Sequence, residues 1–320
     1  MRAAVVEKVG SPPVAGEAPD PERGPGQALV EVTAAPINPI DVTIAAGRFY
    51  AGSPEVPYVP GKEGFGRVIE ADGLERGARV YFETTGGLGG NGSFGERVAV
   101  AEEELVAVEE ELDDALASSL GIAGLAAWLA LEWRAKLERG ETVLVLGASG
   151  AVGIIAVQAA KLMGAGRVVA AARDSDALER ARERGADATV DLSAGGDLAQ
   201  AFRDAAGGGI DVTVDPLWGD PAVAALQAAA PNGRLVHLGQ SASPEATIPS
   251  APVRGNTLTI VGHTSLGASR EVKSAAYLKL VGHAAAGRLV LDTEIFALDG
   301  VTDAWRRQAS FPYRKLVLTP

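Results

Sequence analysis

The sequence predicts an α/β protein with two domains, one mainly β and one built on a six-stranded parallel sheet with helices on both faces. Three observations support this prediction. At 320 residues the chain exceeds one ordinary core of about 100 to 200 residues. Apolar residues alternate with a period of two up to about residue 110, and from about residue 115 short apolar strands alternate with helical stretches. The predicted boundaries are 1–118, 119–263 and 264–320, the last segment returning to the first domain.

The first domain is predicted to be mainly antiparallel β structure. Gly and Pro turns separate its alternating segments, which are AAVVE, ALVEVTA, GRVIEA, ARVYFET and ERVAVA. A short helix is expected at 41–46, with Asp41 as its N-cap and Gly47 as its stop.

The second domain is predicted to contain six parallel strands. These are VLVLG (143–147), RVVAAA (167–172), ATVDL (188–192), DVTVD (211–215), RLVHLG (234–239) and LTIVGH (258–263). Helical stretches such as 176–184 and 221–230 lie between most of them, which favours a sheet covered on both faces. Beyond residue 264 we expect a helix near 270–286, a strand near Leu289, a helix near 299–308 and the terminal strand KLVLT.

Composition excludes several classes of function. The 29 basic and 41 acidic residues give a net charge of −12, so nucleic acid and anionic membrane surfaces are not expected partners. The chain has no cysteine, which excludes disulfides, thiolate zinc sites and cysteine nucleophiles. Glu7 and Lys8 interrupt any apolar signal sequence, so a cytoplasmic location is expected. The uncharged stretch 142–160 contains clustered glycines and is interpreted as strand, turn and helix rather than a membrane span.

A glycine motif follows the first of these strands and opens a helix. In VLVLGASGAVG the motif positions are Ala148, Gly150 and Gly153. Backbone amides of Ser149, Gly150, Ala151, Val152 and Gly153, together with the helix dipole, are predicted to hold a pyrophosphate. The alternative is a plain strand-to-helix turn, but six strands in the right local order favour dinucleotide binding.

The residue after the second strand predicts which nicotinamide cofactor binds. NAD-binding domains commonly place an acidic residue about 20 positions after the last motif glycine, where this chain has Ala172. Arg173 follows at once, and its guanidinium suits a 2′-phosphate. We therefore expect NADP(H). The alternative is a solvated arginine, with Asp174 beside it weakening the preference.

Taken together, these motifs resemble the zinc-independent quinone oxidoreductase branch of the medium-chain dehydrogenase/reductase superfamily. The residues that carry the resemblance are APINPIDVTIAAGRFY (35–50), VPGKEGFGRVIEA (59–71), the glycine motif, GRLVHLG (233–239) and RKLVLTP. The resemblance implies a Rossmann dinucleotide-binding domain with a six-stranded parallel sheet, plus a mainly β, GroES-like catalytic domain. It also implies frequent dimerisation through the last Rossmann strand, so a homodimer is expected.

Zinc-dependent relatives carry cysteine and histidine at the positions that this chain fills with Asn38 and Lys62. The three histidines, His237, His263 and His283, lie on separated segments and are interpreted as packing or loop residues. No metal site is therefore predicted. Without a Lewis acid, reduction of an already polarised carbon is favoured over oxidation of an alcohol.

Asn38 and Tyr50 are the candidate catalytic residues. The resemblance places NPID and the tyrosine of GRFY against the nicotinamide, and an amide and a phenol can orient a carbonyl or enolate. The alternatives are that Asn38 only shapes a turn and that Asp41 only caps a helix. Lys62 either adds a positive charge near the developing oxyanion or faces solvent, and the sequence does not distinguish these.

Gly239 and Gln240 follow the fifth strand, at the carboxyl end where open α/β sheets bind ligands, so we expect them to contact the nicotinamide. Trp218 follows the fourth strand, and its position gives weaker support for the same contact with the nicotinamide. The favoured function is an NADPH-dependent, metal-free reductase of a quinone or of the C=C bond of an enone. The alternatives are a zinc-free carbonyl reductase and a catalytically silent nucleotide-binding regulatory protein.

Overall fold

The computed structural model describes residues 1–50, 52–310 and 312–320. The chain divides into two compact units. The first unit comprises Met1–Ile122, Tyr277–Ala286 and Leu291–Pro320, and the second comprises Ala123–Ala276 and Gly287–Val290. The chain thus returns to the first unit at Tyr277, later than the predicted boundary at residue 263.

Fifteen strands and ten α-helices can be assigned within the described residues. The strands are β1 (Arg2–Val5), β2 (Val14–Glu17), β3 (Gln27–Pro36), β4 (Glu63–Glu70), β5 (Arg79–Glu83), β6 (Arg97–Ala101), β7 (Val106–Ala107), β8 (Thr142–Leu146), β9 (Arg167–Ala172), β10 (Ala188–Asp191), β11 (Ile210–Asp215), β12 (Ala229–His237), β13 (Thr259–Gly262), β14 (Thr293–Ala297) and β15 (Lys315–Thr319). The helices are α1 (Pro39–Ala45), α2 (Asp114–Ser119), α3 (Ile122–Leu129), α4 (Ala151–Leu162), α5 (Ser175–Glu183), α6 (Leu198–Ala206), α7 (Gly219–Ala228), α8 (Ser250–Gly255), α9 (Arg270–Ala285) and α10 (Val301–Gln308).

The first unit is built on a seven-stranded sheet in the order β14-β15-β3-β4-β5-β7, with β6 also paired to β3. All of these pairs are antiparallel except β14 with β15, which is parallel. Residues of β3 alternate between buried and more exposed over most of its length, as the period of two predicts. A core that includes Val30, Phe82, Phe94 and Trp305 joins both ends of the chain.

The second unit contains the six-stranded sheet in the order β10-β9-β8-β11-β12-β13, and all of its strand pairs are parallel. The predicted parallel sheet is therefore confirmed. Strands β8 and β9 are buried along almost their whole length, as expected for a sheet covered on both faces. Leu144, Leu146 and Val169 form part of one core with Phe202 of α6. No helix in the described segments is long and apolar enough to cross a bilayer.

Helix α1 begins two residues earlier than predicted. Asn38 is its N-cap and Pro39 its first residue, so Asp41 lies in the first turn and is not the N-cap. The fixed φ of proline suits the first helical position, which explains the earlier start. The Asp41 carboxylate instead accepts a hydrogen bond from the backbone N–H of Asn38 at 2.7 Å. Gly47, with φ +66°, ends the helix as expected.

The strand predicted near Leu289 is also wrong. Leu289 and Leu291 are buried, which accounts for the apolar signal, but the strand begins only at Thr293. The backbone N–H and C=O of Val290 bond to the side chain of Gln158, both at 2.9 Å. An amide side chain therefore satisfies the groups that a neighbouring strand would otherwise pair.

Candidate active site

The glycine motif forms a tight turn between β8 and α4 in the second unit. Gly147 has φ +64°, and Gly150 is the N-cap of the twelve-residue helix. A Cβ on Gly153 would lie 2.3 Å from the carbonyl oxygen of Gly147, so this position requires glycine for the helix to approach the strand. A Cβ on Gly150 would meet only that same oxygen, at 3.9 Å.

The turn has the features that an anionic ligand needs. The amides of Ala151, Val152 and Gly153 belong to the first turn of the helix, where N–H groups have no partner within the helix. Ser149 and Gly150 immediately precede them, and all but Gly153 are partly exposed. The five residues predicted to hold a pyrophosphate thus lie together at one helix N-terminus, and the site fits a dinucleotide. Their direct contact with a cofactor stays a prediction.

Arg173 lies one residue beyond β9 and is exposed. Its side chain has no hydrogen bond or ion pair within the described residues. The neighbouring Asp174 is the N-cap of α5 and accepts a hydrogen bond from the N–H of Ala177 at 2.8 Å. Because Asp174 is engaged with the helix, the guanidinium of Arg173 is left available to an external anion.

Gly239 and Gln240 follow β12 at the carboxyl end of the parallel sheet. A Cβ on Gly239 would lie 3.1 Å from the carbonyl oxygen of Pro216, which follows β11. Ser241 donates its N–H to that same oxygen at 3.3 Å. The loops after β11 and β12 therefore pack together at the edge where open α/β sheets bind ligands.

A histidine and an aspartate meet at this same edge. Asp215 is the last residue of β11 and His237 the last residue of β12, and the two are direct partners in the strand register. Nδ1 of His237 lies 3.2 Å from Oδ2 of the buried Asp215. The ring of Trp218 lies 4.3 Å from the imidazole. From the sequence alone, His237 is expected to be a packing or loop residue. The sequence signal that could have identified this pair is that DVTVD and RLVH, from two consecutive predicted strands, end in aspartate and histidine.

The first unit contains a buried polar network around Asn38. The Asn38 amide donates from Nδ2 to Glu63 Oε1 at 2.8 Å and to the carbonyl of Pro36 at 3.2 Å. Its Oδ1 accepts from Lys315 Nζ, which also donates to the carbonyl of Ile37 at 3.0 Å. Asn38, Glu63 and Lys315 are all buried. Both ends of the Asn38 amide thus already have partners in the protein.

Glu63 is the most fully bonded carboxyl group of this network. Besides Asn38, it accepts hydrogen bonds from the hydroxyl of Tyr81 at 3.0 Å and from the N–H of Ile122. Burial raises the pKa of Glu63 to about 7, although Lys315 and the donors oppose the shift. Burial also lowers the pKa of Lys315. The sequence alone predicts no role for Glu63 or Lys315, because they lie 252 residues apart and only the fold brings them together.

Asp41 and Lys62 form a second buried pair near the network. Asp41 accepts the N–H of Lys62 at 2.9 Å, and burial raises the pKa of Asp41 to about 6. Lys62 Nζ donates to the carbonyl of Thr84. Lys62 is buried and does not face solvent, which removes one of the two alternatives that the sequence left open.

Tyr50 differs from Asn38 in its surroundings. It is 82% exposed, and its ring contacts Phe49 with the centroids 4.3 Å apart. Within the described residues the structure shows no hydrogen bond between Tyr50 and the Asn38 network. The roles of Asn38 and Tyr50 in catalysis stay predictions.

Two family models match the chain. The alcohol dehydrogenase GroES-like domain matches residues 24–110, and the zinc-binding dehydrogenase domain matches residues 151–281. Quinone oxidoreductase-like protein 2 of Rattus norvegicus is 31% identical over 254 residues, covering 78% of this chain and 71% of that protein.

Two solved structures extend the similarity to the whole chain. A quinone oxidoreductase from Thermus thermophilus, determined also in complex with NADPH, has a TM-score of 0.83 and 27% identity, with 100% of both chains covered. A probable oxidoreductase from Mycobacterium abscessus has a TM-score of 0.85 and 30% identity, covering 100% of this chain and 99% of that one.

Proposed function

Because the chain belongs to the medium-chain dehydrogenase/reductase family, in its quinone oxidoreductase branch, we propose that it is an NADPH-dependent reductase that needs no metal. Its proposed substrates are quinones and the C=C bonds of α,β-unsaturated carbonyl compounds. The observation that carries the proposal is the glycine turn before α4, whose amides at the helix N-terminus and close strand-to-helix packing fit a dinucleotide pyrophosphate. When bound, the cofactor supplies a hydride to an electron-poor carbon.

Within the second unit, the residues proposed to hold the cofactor have separate tasks. The amides of Ser149, Gly150, Ala151, Val152 and Gly153 bind the pyrophosphate, and Gly239 and Gln240 contact the nicotinamide. Arg173 binds the 2′-phosphate and gives the preference for NADPH over NADH. The exposed guanidinium, the capping role of Asp174 and the NADPH complex of the Thermus thermophilus relative all support this preference.

The side chains of the first unit do not fit a catalytic zinc ion. Lys62 fills one of the positions at which zinc-dependent relatives carry a ligand, and its buried ammonium would repel a dication. Asn38 fills the other, and both ends of its amide are bonded within the protein. Within the described residues, no three His, Cys, Asp or Glu side chains form a group that could hold a metal. We therefore propose chemistry at carbons that the substrate itself polarises.

Asn38 and Tyr50 are proposed to line the substrate site. Tyr50 has an exposed phenol that can donate to a carbonyl or enolate oxygen. For Asn38 to donate from its amide nitrogen to a substrate oxygen, that oxygen must replace one of the two present acceptors, Glu63 or Pro36. Replacing Tyr50 by Phe removes the phenol donor without changing the shape of the ring, and therefore tests the proposed role of Tyr50.

The decisive experiment follows NADPH oxidation with quinones, enones, enals and simple aldehydes, and identifies every product. We expect quinones or enones to be reduced, with enones giving saturated ketones, and the rates to be unchanged after treatment with a zinc chelator. If only simple aldehydes are turned over, to alcohols, the protein is a carbonyl reductase. If NADPH binds but no acceptor is reduced, the protein is a nucleotide-binding protein without this activity. Either result contradicts the proposal.

A further inference from the structure

Asp215 and His237 form a pair whose geometry is suited to moving a proton. Oδ1 of Asp215 accepts the N–H groups of Leu217 and Trp218, both at 2.9 Å, while Oδ2 faces Nδ1 of His237 at 3.2 Å. The Asp215 side chain is fully buried, and that of His237 is 30% exposed. The backbone therefore holds the carboxylate in place, and the carboxylate in turn orients the imidazole through Nδ1.

Among the residues that the structure describes, none forms a hydrogen bond with the other nitrogen of the ring. Within the described residues, the bond to Asp215 is the sole side-chain hydrogen bond of His237, and Trp218 is its ring neighbour. On the next strand, His263 contacts His237 through the backbone, donating its N–H to the His237 carbonyl at 2.9 Å. Because a carboxylate only accepts, a hydrogen bond to Oδ2 requires a proton on Nδ1 and leaves Nε2 as the atom that can exchange one.

The backbone around this pair is also held in a demanding conformation. Trp218 has φ +59°, a region that a bulky residue rarely adopts, immediately before α7. His237 lies two residues before Gly239, and the pair is at the carboxyl edge where the same unit is proposed to bind the nicotinamide.

We propose that His237, oriented by Asp215, is the proton donor in the reduction of α,β-unsaturated carbonyl compounds. This inference rests on the proposed function. The reduction adds a hydride, with two electrons, to the β-carbon and a proton to the α-carbon. The C=C π bond is lost, the N–H bond at Nε2 of the imidazolium breaks as the new C–H bond forms, and the neutral imidazole regains a proton from water.

The role predicts a difference between two kinds of substrate. Protonation of an enolate at carbon is slow in water and gains from a positioned acid. The oxygens of a reduced quinone exchange protons with water rapidly. Loss of His237 is therefore expected to slow enone reduction by about a hundredfold, the lower end of the usual range for general acid catalysis, and to leave quinone reduction within about threefold.

His237→Asn is the informative variant, because the shorter amide retains a donor toward Asp215 and removes Nε2. His237→Gln serves if the first variant does not fold, and His283→Asn, on α9, is the control for loss of one histidine. The substrate is an α-methyl enone that the wild type reduces, whose product records the face protonated. We expect a single product enantiomer from the wild type and from His283→Asn, and a nearly racemic product from His237→Asn.

Two measurements separate this role from cofactor binding and from structural support. The NADPH dissociation constant, from a fluorescence titration, is expected to change less than twofold in His237→Asn. In the cofactor-free protein, imidazole nitrogen shifts measured by NMR are expected to show the Nδ1–H tautomer in neutral His237, with a change to Nε2–H in Asp215→Asn. Weaker NADPH binding with an unchanged catalytic rate means that His237 holds the cofactor, and overturns the inference.

Retained facial selectivity, an equal loss with enones and quinones, or an Nε2–H tautomer in the wild type also overturns it. These results leave enone reduction by the wild type intact. Failure of the wild type to reduce any enone or quinone is a different outcome, because it contradicts the proposed function itself.

Discussion

Glu63 shows how far the environment of one buried residue can alter its chemistry. Its carboxyl group accepts hydrogen bonds from Asn38, Tyr81 and Ile122, and the ammonium of Lys315 reaches the same network through Asn38. These partners favour the charged form, but burial opposes it more strongly and raises the pKa of Glu63 to about 7. The carboxyl group therefore becomes protonated more readily in the folded chain than in the unfolded one.

This shift predicts a pH dependence of stability. Because the pKa is about 7 in the folded state and 4.5 when unperturbed, the folded chain binds the extra proton, and its contribution to stability is lost as pH rises from about 4.5 to about 7. Each pKa unit corresponds to about 1.4 kcal/mol, so the loss is on the order of 3 to 4 kcal/mol. Chemical denaturation of wild type and Glu63→Gln at several pH values measures it. If the difference between the two proteins does not change with pH, the pKa of Glu63 is not raised.

Arg173 is the residue proposed to set the cofactor preference. A charged hydrogen bond contributes about 1.5 to 3 kcal/mol, so Arg173→Ala is expected to lower the ratio of kcat/KM for NADPH over NADH by roughly tenfold to a hundredfold. Arg182→Ala is the control, because Arg182 lies on α5 and pairs with Glu179. An unchanged ratio in Arg173→Ala would show that the arginine is merely solvated.

The sequence is enough to propose roles for Arg173 and the motif glycines, because those proposals follow from positions close together in the chain. It could not assign roles to Glu63, Lys315 or the Asp215–His237 pair. Lys315 reaches Asn38 from the last strand, and His237 meets Asp215 only because β11 and β12 are neighbours in register. Lys62 was ambiguous for the same reason, since its burial depends on the fold around Thr84.

At the scale of elements, the turn from β8 into α4 is the feature most firmly set by local sequence. Gly147 adopts a positive φ, and Gly153 lets the helix lie against the end of the strand. Two substitutions in this turn should therefore have different consequences although both replace glycine by alanine.

Gly153→Ala is expected to destabilise the protein, because the new Cβ would lie 2.3 Å from a backbone oxygen that cannot easily move. Gly150→Ala should leave the melting temperature nearly unchanged, since its Cβ would meet only one atom, at 3.9 Å, and its φ of −93° suits alanine. It should still weaken NADPH binding, because the methyl group hinders approach of the pyrophosphate. Thermal unfolding and a fluorescence titration measure both effects. Equal melting temperatures for the two variants would contradict this account of Gly153.

The six parallel strands could be predicted because each is a short apolar segment bounded by turn residues. Two elements were predicted at the wrong positions, each for a local reason. Gln158 bonds both backbone groups of Val290, so the apolar residues beside it form no strand. Pro39 at the first helical position moved the start of α1 away from Asp41.

At the scale of the whole molecule, the parallel sheet ends in an edge strand that is suited to pairing with a second copy of the chain. Strand β13 is the last strand in the order, and Ile260 on it is 38% exposed. An exposed edge strand with an apolar side chain can pair with the same strand of another copy. We propose that the protein forms a homodimer through β13.

Ile260→Lys is expected to shift the protein toward the monomer, because it places a charge in the proposed interface. The control is Ile295→Lys on β14, an edge strand of the other sheet, where the isoleucine is 56% exposed. Light scattering coupled to size exclusion reports the mass directly, and the wild type should show twice the 32.7 kDa of one chain. A monomeric wild type, or a dimer unaffected by Ile260→Lys, argues against this interface.

The central claim is that the glycine turn of the second unit binds a reduced nicotinamide cofactor used for hydride transfer. Equilibrium titration of the purified wild-type protein with NADPH and with NADH, followed by nicotinamide fluorescence, tests it most directly. We expect saturable binding of one NADPH per chain, tighter than that of NADH and weakened in Gly150→Ala. Absence of saturable binding for both cofactors would contradict it.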